Sequence, residues 1–177
     1  MPTGSDSTLL ITLRGNSASG KTSLARAVRT AYGYGLALVS QDVIRRELLR
    51  EKDRPDGVNI GLIDTIVRHC LDRGYHVILE GIFFSGHYGR MLRALRDDHR
   101  GSTYGFYFHV PFAETMRRHT TKPQADEYGE AEMRQWYREW DLLADSGETI
   151  IEPDSSLETS VQQVLEETGL MRMRIHR

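Results

Sequence analysis

Short, nearly unbroken apolar runs alternate along the chain with stretches whose apolar residues recur every three or four positions. Five runs read as strands: Thr8 to Leu13, Leu36 to Ser40, Tyr75 to Glu80, Thr103 to Val110 and Glu148 to Ile151. Because they are continuous and not alternating, they suit strands buried on both faces, as in a parallel sheet covered by helices. Strand and helix signals in alternation predict an α/β fold, three layers deep.

Between the runs, Leu62, Ile63, Ile66, Val67 and Cys70 share one helical stripe within Val58 to Leu71, and Gly74 follows as a stop. Ser155-Ser156-Leu157-Glu158 fits a capping box opening a last helix, whose buried stripe is Leu157, Val161, Val164 and Leu165. Two further helices, Glu114 to Arg118 and Glu130 to Leu143, flank a polar segment, Thr120 to Gly129, that holds Pro123 and reads as a mobile flap. Met133, Trp136, Tyr137, Trp140 and Leu143 keep helical spacing and read as packing first, base stacking second. Residues 171 to 177 read as an exposed tail.

Composition narrows the classes. At 177 residues, with no repeat or long linker, a single domain spanning 1–177 is expected, large enough to bury a core unaided. One cysteine, Cys70, excludes an internal disulfide framework, and no Cys/His cluster has zinc-ligand spacing. With 23 basic and 25 acidic residues the net charge is −2, which disfavours nucleic-acid binding through bulk charge and leaves only a local basic groove open. No apolar run reaches the ~18 residues of a membrane span, and Met1 to Thr8 lack an export signal, so a cytoplasmic protein off the membrane is expected. Oligomeric state is not legible.

Directly after the first run comes Gly15-Asn16-Ser17-Ala18-Ser19-Gly20-Lys21-Thr22, followed by Ser23, which meets G-x-x-x-x-G-K-[ST] at every fixed position. Only three lysines occur in the chain, so a chance match is expected about three times per thousand such chains. Glycines at the bends let backbone N–H groups turn inward on phosphate oxygens. Lys21 supplies a charge for the β- and γ-phosphates, Thr22 a hydroxyl for Mg²⁺, and the helix that follows its positive end.

With that motif, the chain resembles a small P-loop kinase of the nucleotide-kinase-like group, akin to the zeta-toxin, polynucleotide 5′-kinase and chloramphenicol phosphotransferase families, over residues 8 to 168. The resemblance implies a five-stranded parallel sheet in the order 2-3-1-4-5, helices on both faces, and a small lid at about 117–130. Asp42-Val43-Ile44-Arg45 resembles the group's D-x-x-R signature, whose aspartate accepts the acceptor hydroxyl's proton and whose arginine contacts phosphate or substrate. Asp42 follows the second strand, at the carboxyl edge where open α/β sheets bind ligands, although it could also simply cap the next helix. Val43, Ile44, Leu48 and Leu49 read as core.

Glu80 closes the third run as the carboxylate of a Walker B strand does, and is a candidate for water-mediated Mg²⁺ binding or for holding the acceptor. Beyond it, Phe84, His87 and Tyr88 are candidates for acceptor stacking and contact, together with Asp42, Arg45 and Glu80. Arg117 to Pro123 resembles the lid, with Arg118 and Lys122 as its charge-stabilising residues; Arg134 and Arg138 could also reach in. Ile151 to Ser155 is where the resemblance implies backbone contacts to adenine.

The expectation is an ATP- and Mg²⁺-dependent kinase acting on a hydroxyl of a small molecule such as a nucleoside, sugar or hydroxylated antibiotic. A polynucleotide 5′-hydroxyl kinase, a non-catalytic ATP-binding switch and a zeta-toxin-like sugar-nucleotide kinase stay open. The absence of an N-K-x-D run argues against a regulatory GTPase.

Overall fold

The computed structural model describes residues 1–120 and 129–173. Its strands are β1 (Leu9–Gly15), β2 (Leu36–Ser40), β3 (His76–Gly81), β4 (Ser102–Phe108) and β5 (Thr149–Ile151). Each forms within two residues of its predicted span. All pair in parallel, in the order β2-β3-β1-β4-β5.

The helices are α1 (Lys21–Tyr32), α2 (Val58–Asp72), α3 (Ser85–Asp98), α4 (Phe112–His119), α5 (Glu130–Trp136) and α6 (Leu157–Thr168). A π-helical turn covers Val43–Leu48 and a 3₁₀ turn Leu170–Arg172. The pleat of β1 sorts its side chains between two cores. Leu9, Ile11 and Leu13 face α1 and α6 with Leu24, Val28 and Val164. Leu10 faces α2 and α3 with Ile63, Val67, Leu92 and Leu95. Among the described residues no helix is long and apolar enough to cross a membrane.

These expectations are corrected, together with Leu157 of the stripe predicted for α6, which is half exposed. The helix predicted for 130–143 stops at Trp136, since the chain beyond it is recruited by β1 and the loop after it, as shown below. Met133 and Leu143 are buried, but Trp136 and Trp140 are exposed. The cap of α6 is Ser156, one residue later than the capping box, and its Oγ accepts from the Thr159 amide at 3.0 Å. After β2 only Ile44 is buried and Leu49 partly so, whereas Val43 and Leu48 are exposed because the wider π turn rotates them off the core stripe. The tail is tied down at its start: the Met173 carbonyl accepts from Tyr32 Oη at 3.0 Å and from His76 Nε2 at 2.9 Å.

Candidate active site

The carboxyl ends of β1, β2 and β3 lie side by side, where a chain leaving β1 for one side of the sheet returns for β4 on the other, the crevice in which such sheets bind ligands. Gly15 ends β1 at φ +141°; a Cβ there would stand 2.7 Å from the Phe108 carbonyl oxygen, so both backbone shape and close approach require glycine. Gly20 at φ +105° turns the loop into α1. Lys21 is buried, and its Nζ donates to the Asn16 carbonyl at 2.7 Å and Ser19 Oγ at 3.0 Å, which holds the charge inside the loop.

Ser40 and Glu80 are partners in the β2–β3 register, and Thr22 stands in the first turn of α1 above them. Ser40 Oγ donates to Glu80 Oε1 at 2.5 Å, and Thr22 Oγ1 to Glu80 Oε2 at 3.1 Å. A buried carboxylate is thereby satisfied by two hydroxyls next to the loop. Residues 17–23, Asp42, Glu80, Gly81, Ile82 and Arg118 line one cavity of about 350 Å³.

Arg118 reaches this cavity from the last turn of α4. Glu114 Oε1 holds its Nε at 2.6 Å, and its two Nη groups donate to the Ser19 carbonyl at 3.2 Å and the Pro153 carbonyl at 2.8 Å. The Arg117 and Arg118 guanidinium groups lower the Glu114 carboxyl to a pKa of about 2. Pro153 lies in the segment expected at the adenine, so Arg118 joins that segment to the phosphate loop. Lys122 lies outside the described residues.

Asp42 is more than half exposed and makes no helix-capping bond; its Oδ1 instead accepts from Arg45 Nη2 at 3.1 Å. Arg45 Nη1 donates to the Glu51 carbonyl at 3.2 Å, while Arg46 is exposed. The Asn16 side chain grips the Arg138 backbone, which leaves only its main chain to the expected cup. Arg138 lies over the Phe84 ring at 5.0 Å and Arg134 over Phe112 at 4.4 Å, so neither guanidinium lines the cavity. His87, Tyr88 and Phe84 are brought to the start of α3 beside Asp53 and outside the cavity lining.

The sequence reading missed the supports. Arg14, fully buried one residue before the loop, donates from Nη1 to both Glu148 oxygens at 2.8 and 2.9 Å, and from Nη2 to Asp141 Oδ2 at 2.9 Å. Asp141 in turn accepts from the Ser85 amide at 2.8 Å and Ser85 Oγ at 2.5 Å, at the start of α3. Phe83, buried at φ +44°, is held in that strained shape from both sides: its amide donates to Gln41 Oε1 at 3.2 Å, and its carbonyl accepts from Arg14 Nε and Nη2. An arginine inside an apolar strand was the one available signal, since such a charge demands partners.

A family model described as an AAA domain matches residues 10–143. The chain belongs to that family. No curated protein sequence matches this AAA-domain chain. Among solved structures, the unliganded sugar kinase from Janibacter sp. HTCC2649 has a TM-score of 0.72 at 17% identity, over 96% of this chain and 99% of that one. The APS kinase of Mycobacterium tuberculosis, in complex with AMPPNP and APS, has a TM-score of 0.67 at 18% identity, over 97% and 99%. The tunicamycin resistance protein of Deinococcus radiodurans has a TM-score of 0.62 at 15% identity, over 92% and 96%. This member of the AAA-domain family therefore has the α/β P-loop kinase fold, with the strand order that the resemblance implied.

Proposed function

We propose that the protein is an ATP-dependent kinase that moves the γ-phosphoryl group to a hydroxyl of a small molecule. The observation carrying this reading is that the glycine-bent loop with its buried Lys21 and an exposed carboxylate, Asp42, line the same cavity. Loop amides and the Lys21 charge bind the triphosphate. Asp42 orients the acceptor hydroxyl and takes its proton at a carboxylate oxygen as that hydroxyl oxygen attacks the γ-phosphorus, whose bond to the β,γ-bridging oxygen breaks and releases ADP. Arg45 holds Asp42 in place through its 3.1 Å contact, and Arg118 offsets charge growing on the transferred group.

The residues fit Mg²⁺. Thr22 and Glu80 supply hard oxygens 3.1 Å apart, and the described residues contain no group of three or more His, Cys, Asp or Glu able to cage a metal. That suits an ion held by one or two protein oxygens with phosphates and water completing its shell. When bound, Mg²⁺ would neutralise charge between the β- and γ-phosphates.

The test is transfer of labelled phosphate from ATP to nucleosides, sugars and hydroxylated antibiotics, with product masses recorded. Asp42→Asn should slow transfer by about 10²-fold or more while ATP affinity stays within about twofold. Unchanged turnover would remove Asp42 from the chemistry, and no product with any acceptor would overturn the kinase reading.

A further inference from the structure

The charges of α1 and α6 are sorted by sign. α1 carries Lys21, Arg26 and Arg29 and no acid, whereas α6 carries Glu158, Glu166 and Glu167 and no base. The two helices pack side by side on one face of the sheet, where Leu24, Val28 and Val164 share a core, so their outward stripes form one continuous outer surface. Lys21 is buried in the phosphate loop, and the α1 half of that surface presents Arg26, Arg29 and Tyr34 around a shallow cavity of about 500 Å³. The α6 half presents its three glutamates around another of about 570 Å³.

Among the described residues these charges find no opposite sign. The Arg26 and Arg29 guanidinium groups have no hydrogen-bond or ion-pair partner there, and neither has the Glu158 carboxylate. Glu166 and Glu167 accept only from the uncharged Gln162, Gln163 and Thr149. Tyr34, just past the end of α1, is 92% exposed, and Leu157, at the start of α6, is 50% exposed. A solvated helix face gains from mixed signs along its own length, whereas faces of one sign each repel internally and gain only from a surface of the reverse pattern. The same surface turned over supplies that pattern. Both helices lead from the carboxyl to the amino edge of the parallel sheet, so a two-fold axis running between and along them lays α1 of one copy on α6 of the other, twice. An axis across the helices would set like on like.

We infer that the α1 and α6 face is a homodimer interface, in which Arg26 and Arg29 of each copy meet the α6 glutamates of the other and Tyr34 supplies an aromatic anchor. Charge complementarity selects a second copy as the occupant. An acidic partner would meet the arginines but be repelled by glutamates one helix spacing away, about 10 Å, and a basic partner the reverse. Each helix has 12 residues, about 18 Å, so two abreast form a patch of roughly 18 by 20 Å, at the small end of specific interfaces. The dimer is therefore weak, with its charges setting register and salt dependence more than affinity. The inference is independent of the kinase reading.

The test is sedimentation equilibrium of the full chain at about 10 to 300 µM, in about 50 and 500 mM NaCl. A monomer–dimer equilibrium in low salt, weakened about tenfold or more in high salt, is expected. Two charge-reversed chains then probe the pairing. Arg26→Glu with Arg29→Glu makes the face acidic throughout, and Glu166→Lys with Glu167→Lys makes it predominantly basic. Each should be monomeric alone, and an equal mixture of the two should dimerise again, which damage to either fold would not produce. A parent chain that stays monomeric in low salt, a dimer that neither reversal weakens, or a mixture that stays monomeric overturns the interface. The salt dependence of the parent chain stands whether or not a variant folds.

Discussion

Asn16 holds both backbone groups of Arg138: its Nδ2 donates to the Arg138 carbonyl at 2.6 Å, and its Oδ1 accepts from the Arg138 amide at 2.9 Å. A residue of the phosphate loop thus does for the chain after α5 what a neighbouring strand would do. Asn16→Ala strips both bonds from a nearly buried site, and a loss of about 1–3 kcal/mol in unfolding free energy by urea titration is expected. Asn16→Asp keeps the acceptor but sets a nearly buried carboxylate oxygen against the Arg138 carbonyl, and should cost at least as much as Asn16→Ala.

Arg14 balances two carboxylates in a place water does not reach. Removing it as Arg14→Met leaves Asp141 and Glu148 facing each other, with an expected cost of about 3–5 kcal/mol in guanidinium unfolding. Glu148→Gln, which leaves the Arg14–Asp141 pair, should cost less. If Arg14→Met changes the midpoint by less than Glu148→Gln, the cluster is not what secures residues 137–148.

The two loop glycines should separate on substitution. Gly15→Ala meets both a left-handed backbone and the Phe108 carbonyl at 2.7 Å, whereas Gly20→Ala meets nothing nearer than 3.9 Å. Gly20→Ala should therefore lose about 1–3 kcal/mol from strain alone, and Gly15→Ala visibly more. Thermal unfolding of the two variants checks the order.

Stability should fall in two stages as the solution is acidified. Burial lowers the pKa of His76 and of His99 below the ordinary 6.5. The unfolded chain then binds protons first, so the stability they contribute is whole above about 6.5 and is lost as pH falls through their folded values. For His76 the geometry agrees: Nδ1 accepts from the Leu9 amide at 3.0 Å, so a proton there would set two donors against each other. Glu51 and Glu114, lowered from 4.5 to about 2, contribute above 4.5 and fail between 4.5 and 2. Urea midpoints from pH 8 to 5 should decline in the first window, and His76→Gln should flatten that slope.

Much of the fold could be read from the chain because strands covered on both faces cannot help being continuous apolar runs, and the phosphate loop because glycine geometry and a rare lysine leave few substitutes. Trp140 and Leu143 show where reading fails. Their spacing with Met133 is helical, yet Asn16 and Arg14, more than a hundred residues earlier, hold this segment by its backbone and by Asp141, which no local period records. Phe83 escaped for a related reason: its left-handed backbone is imposed by Gln41 and Arg14 from outside. Asp42 and Arg45 stand out through their resemblance to the D-x-x-R signature, but that Arg45 is spent on Asp42 and Glu51 needs coordinates.

The Met173 carbonyl, which takes a hydroxyl from α1 and a ring nitrogen from β3, also sets a practical boundary. An affinity handle or fluorescent fusion spliced in before that residue would leave Tyr32 and His76 without their shared acceptor. One attached beyond it would keep that carbonyl in the chain for both donors.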